Sequence, residues 1–133
     1  MLDSGTDNAT ILVVDDEECL LNLIRIVLTQ EGYTVLGAES AEEGLLIMQS
    51  SAGNIDLLLT DMRLPNMSGG ELAKEFKTAY PASKVIYMTA YSPEDATLRL
   101  PGEIVLFKPF YPELLCDMVK TSLAGLTSHK LPI

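Results

Sequence analysis

Five short runs in this chain are largely apolar on both of their faces: TILVV (10–14), YTVLGA (33–38), IDLLLT (55–60), KVIYMT (84–89) and EIVLF (103–107). A half-buried strand alternates apolar and polar residues and keeps one face wet. These runs leave no wet face, so each has to be covered on both sides. That is the situation of a parallel sheet with helices packed above and below it.

The stretches between the runs have helical period. From Glu17 to about Glu31, Leu20, Leu21, Ile24, Val27 and Leu28 fall on one face, and Gly32 stops the helix. Ser40, with Glu43 three residues on, reads as a capping box for a helix through about Gln49. RLPNMSGG (63–70) is rich in turn formers, and Ser68 is placed to cap a helix through ELAKEFKTA. SPEDATLRL (92–100) reads as a short helix with Pro93 at its first position, ended by Pro101-Gly102. A last helix follows Pro112, with Leu114, Leu115, Met118, Val119 and Leu123 expected inward.

Five strand–helix units predict an α/β fold: a flavodoxin-like, doubly wound, five-stranded parallel sheet of order 2-1-3-4-5. The 133 residues suit one domain. Residues 1–9 read as a flexible leader, 10–124 as the domain and 125–133 as a tail or linker stub. Charged residues such as Glu71, Lys74, Glu75 and Lys77 read as a solvated helix face, and His129 as incidental to function.

Formal net charge is −10. Phosphate backbones and anionic membranes are met with Lys and Arg, so neither nucleic acid nor a membrane surface is an expected direct partner. Cations, or basic patches on other proteins, are. Cys19 and Cys116 lie far apart without metal-like spacing and read as reduced, buried residues. The opening MLDSGTDNAT is polar, unlike a secretory signal, and no apolar run reaches membrane-spanning length. A cytoplasmic setting is expected.

In doubly wound sheets, ligands bind beyond the carboxyl ends of the strands. The first strand delivers Asp15 and Asp16 there, the third Asp61, the fourth Thr89, and the fifth Lys108 followed by Pro109. Taken singly, Asp15 or Asp16 could cap a helix and Asp61 could form a turn. Thr89 and Lys108 alone carry no signal. Jointly, three carboxylates, a hydroxyl and an ammonium converge on one edge. Two carboxylates about 4 Å apart repel by roughly 4 kcal/mol at an effective dielectric of 20, so the group calls for a compensating cation. Carboxylates, carbonyls and water suit Mg²⁺, and no Cys or His cluster argues for zinc. Magnesium in such a site points to phosphate chemistry.

ILVVDDEE, LLLTDMRLPNMSGGEL, VIYMTAYS and VLFKPF, in this order, resemble the response-regulator receiver domain over nearly the whole chain. The resemblance implies that Asp61 accepts a phosphoryl group from a phosphohistidine on a sensor kinase or phosphotransfer domain. It implies Mg²⁺ held by Asp16, by Asp15 largely through water, by Asp61 and by the backbone carbonyl of Arg63. Lys108 would be the fixed counter-charge, and Thr89 the switch hydroxyl for the phosphoryl oxygens. The Lys108-Pro109 bond resembles one that is cis in the family. The output partner would be a downstream protein or effector domain, and homodimerisation is compatible with all of this.

The sequence also departs from the family pattern. The aromatic switch position, three before the lysine, holds Val105. Phe107 adjoins the lysine, and period-two alternation does not put it in the equivalent place. The stretch from Thr89 to Lys108 is short, which predicts an altered output surface that relies on the first or last helix. Arg63 and Tyr91, two residues beyond Asp61 and Thr89, would shield the acyl phosphate and slow its loss. The implied role is a signalling phosphoacceptor rather than an enzyme. Three rival readings are a magnesium-dependent phosphatase or phosphotransferase with Asp61 as transient nucleophile, a nucleotide or flavin binder, and a degenerate docking receiver. Arg63 stands where such a phosphatase often has its second acid. No glycine-rich phosphate loop follows the first strand, and the full polar set argues against degeneracy.

Overall fold

A computed structural model describes residues 9–50, 53–90 and 104–127, with side chains to Ala124. Its strands are β1 (Thr10–Val14), β2 (Thr34–Ala38), β3 (Leu57–Asp61), β4 (Lys84–Thr89) and β5 (Ile104–Phe107). All pair in parallel, in the order β2-β1-β3-β4-β5. The helices are α1 (Glu18–Gln30), α2 (Ala41–Ser50), α3 (Gly69–Ala79) and α4 (Pro112–Thr127). This is the flavodoxin-like, doubly wound sheet the apolar runs predict. The helix expected at 92–100, like Tyr91 and His129, lies outside the described residues.

Strand alternation splits the interior into two layers. Ile11, Val13, Leu57, Leu59, Ile86, Met88 and Leu106 face one side, where α1 contributes Leu21, Ile24 and Leu28 and α4 contributes Leu115, Val119 and Leu123. Leu12, Val14, Leu58 and Tyr87 face the other, under Ala41 of α2 and Leu72, Ala73 and Phe76 of α3. Full burial of a Leu or Ile side chain contributes about 2 kcal/mol, so the central strands anchor the sheet edge on which the acids stand. Leu114, expected inward, is 46% exposed. It lies one residue off the 115–119–123 stripe that touches the sheet.

Local chemistry sets the helix ends. Gly32, at φ 102°, and Tyr33 donate to Thr29 and Leu28 carbonyls, a Schellman stop that only a residue free to adopt positive φ closes without strain. Ser68 accepts from the Glu71 N–H while the Glu71 carboxylate accepts from the Ser68 N–H, a full capping box. Glu71 is therefore a structural cap as well as a solvated acid. At α2 the pairing is shifted: Ser40 accepts from Glu43, but the Glu43 carboxylate reaches the N–H of Glu39. The exposed Lys77 donates to the Ser83 and Pro81 carbonyls, closing the turn between α3 and β4. α4 runs to Thr127, so residues 125–127 continue the helix instead of starting a tail. Cys19 is exposed and Cys116 half-buried, against the expectation that both are buried; both are free thiols.

Candidate functional site

The acids stand where β1 and β3 run out. Asp15 follows the last residue of β1, and its N–H still bonds the Ala38 carbonyl of β2 at 3.1 Å. Its side chain is fully buried. One carboxylate oxygen, Oδ1, accepts the Glu17 N–H at 2.8 Å. The other, Oδ2, accepts from Lys108 Nζ at 2.8 Å. Asp61 ends β3 and is 9% exposed. It repeats the arrangement, with Oδ1 accepting the Arg63 N–H at 3.1 Å and Oδ2 accepting from Lys108 at 3.1 Å. Asp16 is exposed, and one carboxylate oxygen from each of Asp15, Asp16 and Asp61 lies within 4.8 Å of the others.

Lys108 therefore bridges two strand ends. Its own N–H bonds the Thr89 carbonyl at 2.7 Å, which ties the end of β5 to the end of β4. The peptide bond to Pro109 is cis. Thr89 is buried at the β4 terminus, one residue past the Asp61–Met88 pairing. Phe107 stands opposite Thr89, and Val105 stands one rung back, opposite Tyr87. Phe107 thus shares the Val105 face but sits one rung nearer the site, at a different rung from the family's aromatic.

The charges do not balance. Lys108 contacts Asp15, Asp61 and, at 3.5 Å, Glu17. Carboxylates about 5 Å apart repel by roughly 3 kcal/mol at an effective dielectric of 20, and one ammonium cannot neutralise four acids. Burial pushes the Asp15 carboxyl above its usual range; the Lys108 hydrogen bond and charge offset only part of that. Burial works against the Lys108 ammonium, but its hydrogen bonds to Asp15 and Asp61 prevail and hold it above the ordinary lysine range. The lysine is a permanent cation. The three clustered carboxylates, all hard oxygen donors, fit a hard divalent ion such as magnesium.

Sequence reading assigned no role to two residues that shape this site. Glu17 reaches Lys108, and its position in the acidic run DDEE was the available signal. Gly69 starts α3 against the strand end, and a Cβ there would clash with the Asp61 carbonyl oxygen. The Gly-Gly after Ser68 was the only trace of that approach. An open groove of about 470 Å³ between α3 and β4–β5 is lined by Lys74, Lys84, Val85 and Tyr87 among others. It shares no residue with the acidic cluster.

The family profile described as "Response regulator receiver domain" matches residues 11–120. The chain belongs to this family. It is similar to the transcriptional regulatory protein CreB of Escherichia coli (strain K12), 32% identical over 127 residues, covering 92% of this chain and 54% of CreB. It is also similar to the sensor kinase CckA of Brucella abortus (strain 2308), 33% identical over 120 residues, covering 87% of this chain and 13% of the kinase. The chain thus spans about half or less of the length of these curated relatives. Among solved structures, a CheY-like receiver domain protein from Methanospirillum hungatei JF-1 superposes with TM-score 0.79 at 31% identity, covering 91% of this chain and 98% of that one. The receiver domain of the hybrid histidine kinase CckA gives 0.75 at 31% identity, covering 86% and 99%. A receiver domain of two-component signalling accounts for the fold, and no helix among the described residues is long and apolar enough to cross a membrane.

Proposed function

We propose that this receiver domain accepts a phosphoryl group on Asp61 from a phosphohistidine of a sensor kinase or phosphotransfer domain, and that acyl phosphate formation switches a protein-binding surface. The observation that carries this reading is the bridge of Lys108 between Asp15 and Asp61, with a third carboxylate beside them. In the transfer, an Asp61 carboxylate oxygen forms a bond to phosphorus while the phosphorus–nitrogen bond to the histidine breaks. The electron pair returns to the imidazole.

Each residue then has a task. The Arg63 N–H and Lys108 hold the two Asp61 oxygens, so the carboxylate is oriented before a donor arrives. As Asp61 loses its charge, Lys108 is free to turn towards the phosphoryl oxygens. Thr89 and Phe107, paired at the ends of β4 and β5, are positioned to relay that change to the sheet edge. Asp15, Asp16, Asp61 and the Arg63 carbonyl would hold Mg²⁺, which when bound supplies positive charge for the phosphoryl oxygens. Arg63, exposed beside Asp61, would slow hydrolysis of the acyl phosphate.

The partners are proteins in the cytoplasm, and the domain turns over no external substrate. Exposed apolar side chains along the segments that follow Asp16 and Lys108 support protein docking: Leu23 and Ile26 of α1, Tyr111 just before α4, and Leu114 in its first turn. Incubation with Mg²⁺ and acetyl phosphate, read by intact mass, tests the reading. The expected result is one phosphoryl adduct that is absent from Asp61→Asn. Steady release of phosphate over many turnovers, or an adduct that survives the substitution, would overturn it.

A further inference from the structure

Glu17 stands at the mouth of the site, and phosphoryl acceptance as described gives it no task. Its N–H donates to Asp15 Oδ1 at 2.8 Å, which fixes its backbone at the entrance to α1. It occupies the N-cap position, yet its side chain caps nothing. The carboxylate turns instead towards Lys108, 3.5 Å from Nζ, while remaining 65% exposed. Asp15 and Asp61 meet the same ammonium from inside the site. Glu17, the exposed acid of the three, meets it from the solvent side.

We propose that Glu17 is a donor-selecting residue: a carboxylate that competes for Lys108 at the mouth and repels small donors in proportion to their charge. This rests on phosphoryl acceptance at Asp61. Donors with less net negative charge on the phosphoryl group are admitted preferentially. The selection acts on entry and leaves the attack of Asp61 on phosphorus unchanged. It comes from one exposed charge close to the reacting atoms, so it fades as added salt shortens the screening length.

Two small donors separate charge from chemistry. Acetyl phosphate arrives as a dianion, and its phosphorus–oxygen bond breaks to release acetate. Phosphoramidate arrives with its nitrogen protonated and one net negative charge, and its phosphorus–nitrogen bond breaks to release ammonia. The rate of Asp61 labelling at sub-saturating donor is measured for the wild type, Glu17→Gln and Glu17→Asp, at low and high ionic strength. Glu31→Gln, about 20 Å away at the far end of α1, controls for net charge.

At low ionic strength Glu17→Gln is expected to raise labelling by acetyl phosphate about three- to tenfold. Labelling by phosphoramidate should rise no more than about half as far on the same electrostatic scale. Glu17→Asp should restore most of the wild-type donor ratio, Glu31→Gln should leave it unchanged, and salt should narrow the gap. The wild type alone offers a further measure, since salt should speed acetyl phosphate more than phosphoramidate. Equal changes with both donors, an effect of Glu31→Gln as large as that of Glu17→Gln, or a ratio insensitive to salt would overturn the proposal while leaving Asp61 as acceptor. Failure of the wild type to label with either donor would overturn the acceptor reading, and this inference with it.

Discussion

Lys108→Met removes the only cation that touches Asp15 and Asp61 among the described residues. The lysine side chain is 13% exposed and Asp15 not at all, so little solvent is at hand to take over. A single carboxylate–ammonium pair at about 4 Å is worth roughly 4 kcal/mol at an effective dielectric of 20, before desolvation is subtracted. Removing one partner of a buried pair costs about 3–5 kcal/mol, because the other charge is left stranded. A loss of about 3 kcal/mol is expected at pH 7 in divalent-free buffer. The pH dependence identifies the cause. Native Asp15 already titrates above 3.8, and without the lysine's lowering effect it rises further. Between 3.8 and that raised value the native variant binds more protons than the unfolded chain, so its stability falls as pH rises through the window. Lys108 in the wild type titrates above 10.5, so its contribution is constant from pH 5 to 8. The deficit of the variant should therefore shrink as pH is lowered through that window towards 3.8. Urea denaturation at four pH values measures it. A variant within 0.5 kcal/mol of wild type at pH 7, or a deficit of one size at every pH, would refute the stranded-carboxylate argument.

Divalent ions should act on the same imbalance. Mg²⁺ at about 100 times its dissociation constant is expected to add about 2.7 kcal/mol of stability to the wild type, and clearly less to Asp16→Asn, as thermal melts with and without the ion would record. Gly69→Ala drives a methyl group into the Asp61 carbonyl. It should cost about 2–3 kcal/mol in urea and slow Asp61 labelling by acetyl phosphate, whereas a wild-type labelling rate would show that the helix start does not position the acceptor. Arg63→Ala should shorten the lifetime of the acyl phosphate severalfold, measured by loss of the adduct after the donor is removed. An unchanged lifetime would assign the Arg63 side chain to solvent.

What could be read from the sequence follows from what a linear pattern encodes. β3, apolar from Leu57 to Leu59 and ending on Asp61, states its burial, its sheet and its exit residue in five letters. The other strands do nearly the same, so the sheet order and the set of polar residues on its carboxyl edge were legible together. Details that depend on where two distant backbones meet were not. Gly69 matters because α3 starts against the Asp61 carbonyl, a contact that neither segment records. Leu114 was expected inward on helical period alone, yet the stripe that touches the sheet is set by the angle at which α4 lies, which the period leaves free. Glu17 shows the difference most sharply. In the run Asp15-Asp16-Glu17-Glu18 the acids are interchangeable as letters, but the turn from strand to helix gives them separate surroundings. Asp15 is sealed beneath the sheet edge, Asp16 is exposed within reach of Asp15 and Asp61, and Glu17 turns towards Lys108 from outside. Composition can show that carboxylates crowd a strand end, but only the path of the backbone decides which of them faces the ammonium from the protein and which from the solvent.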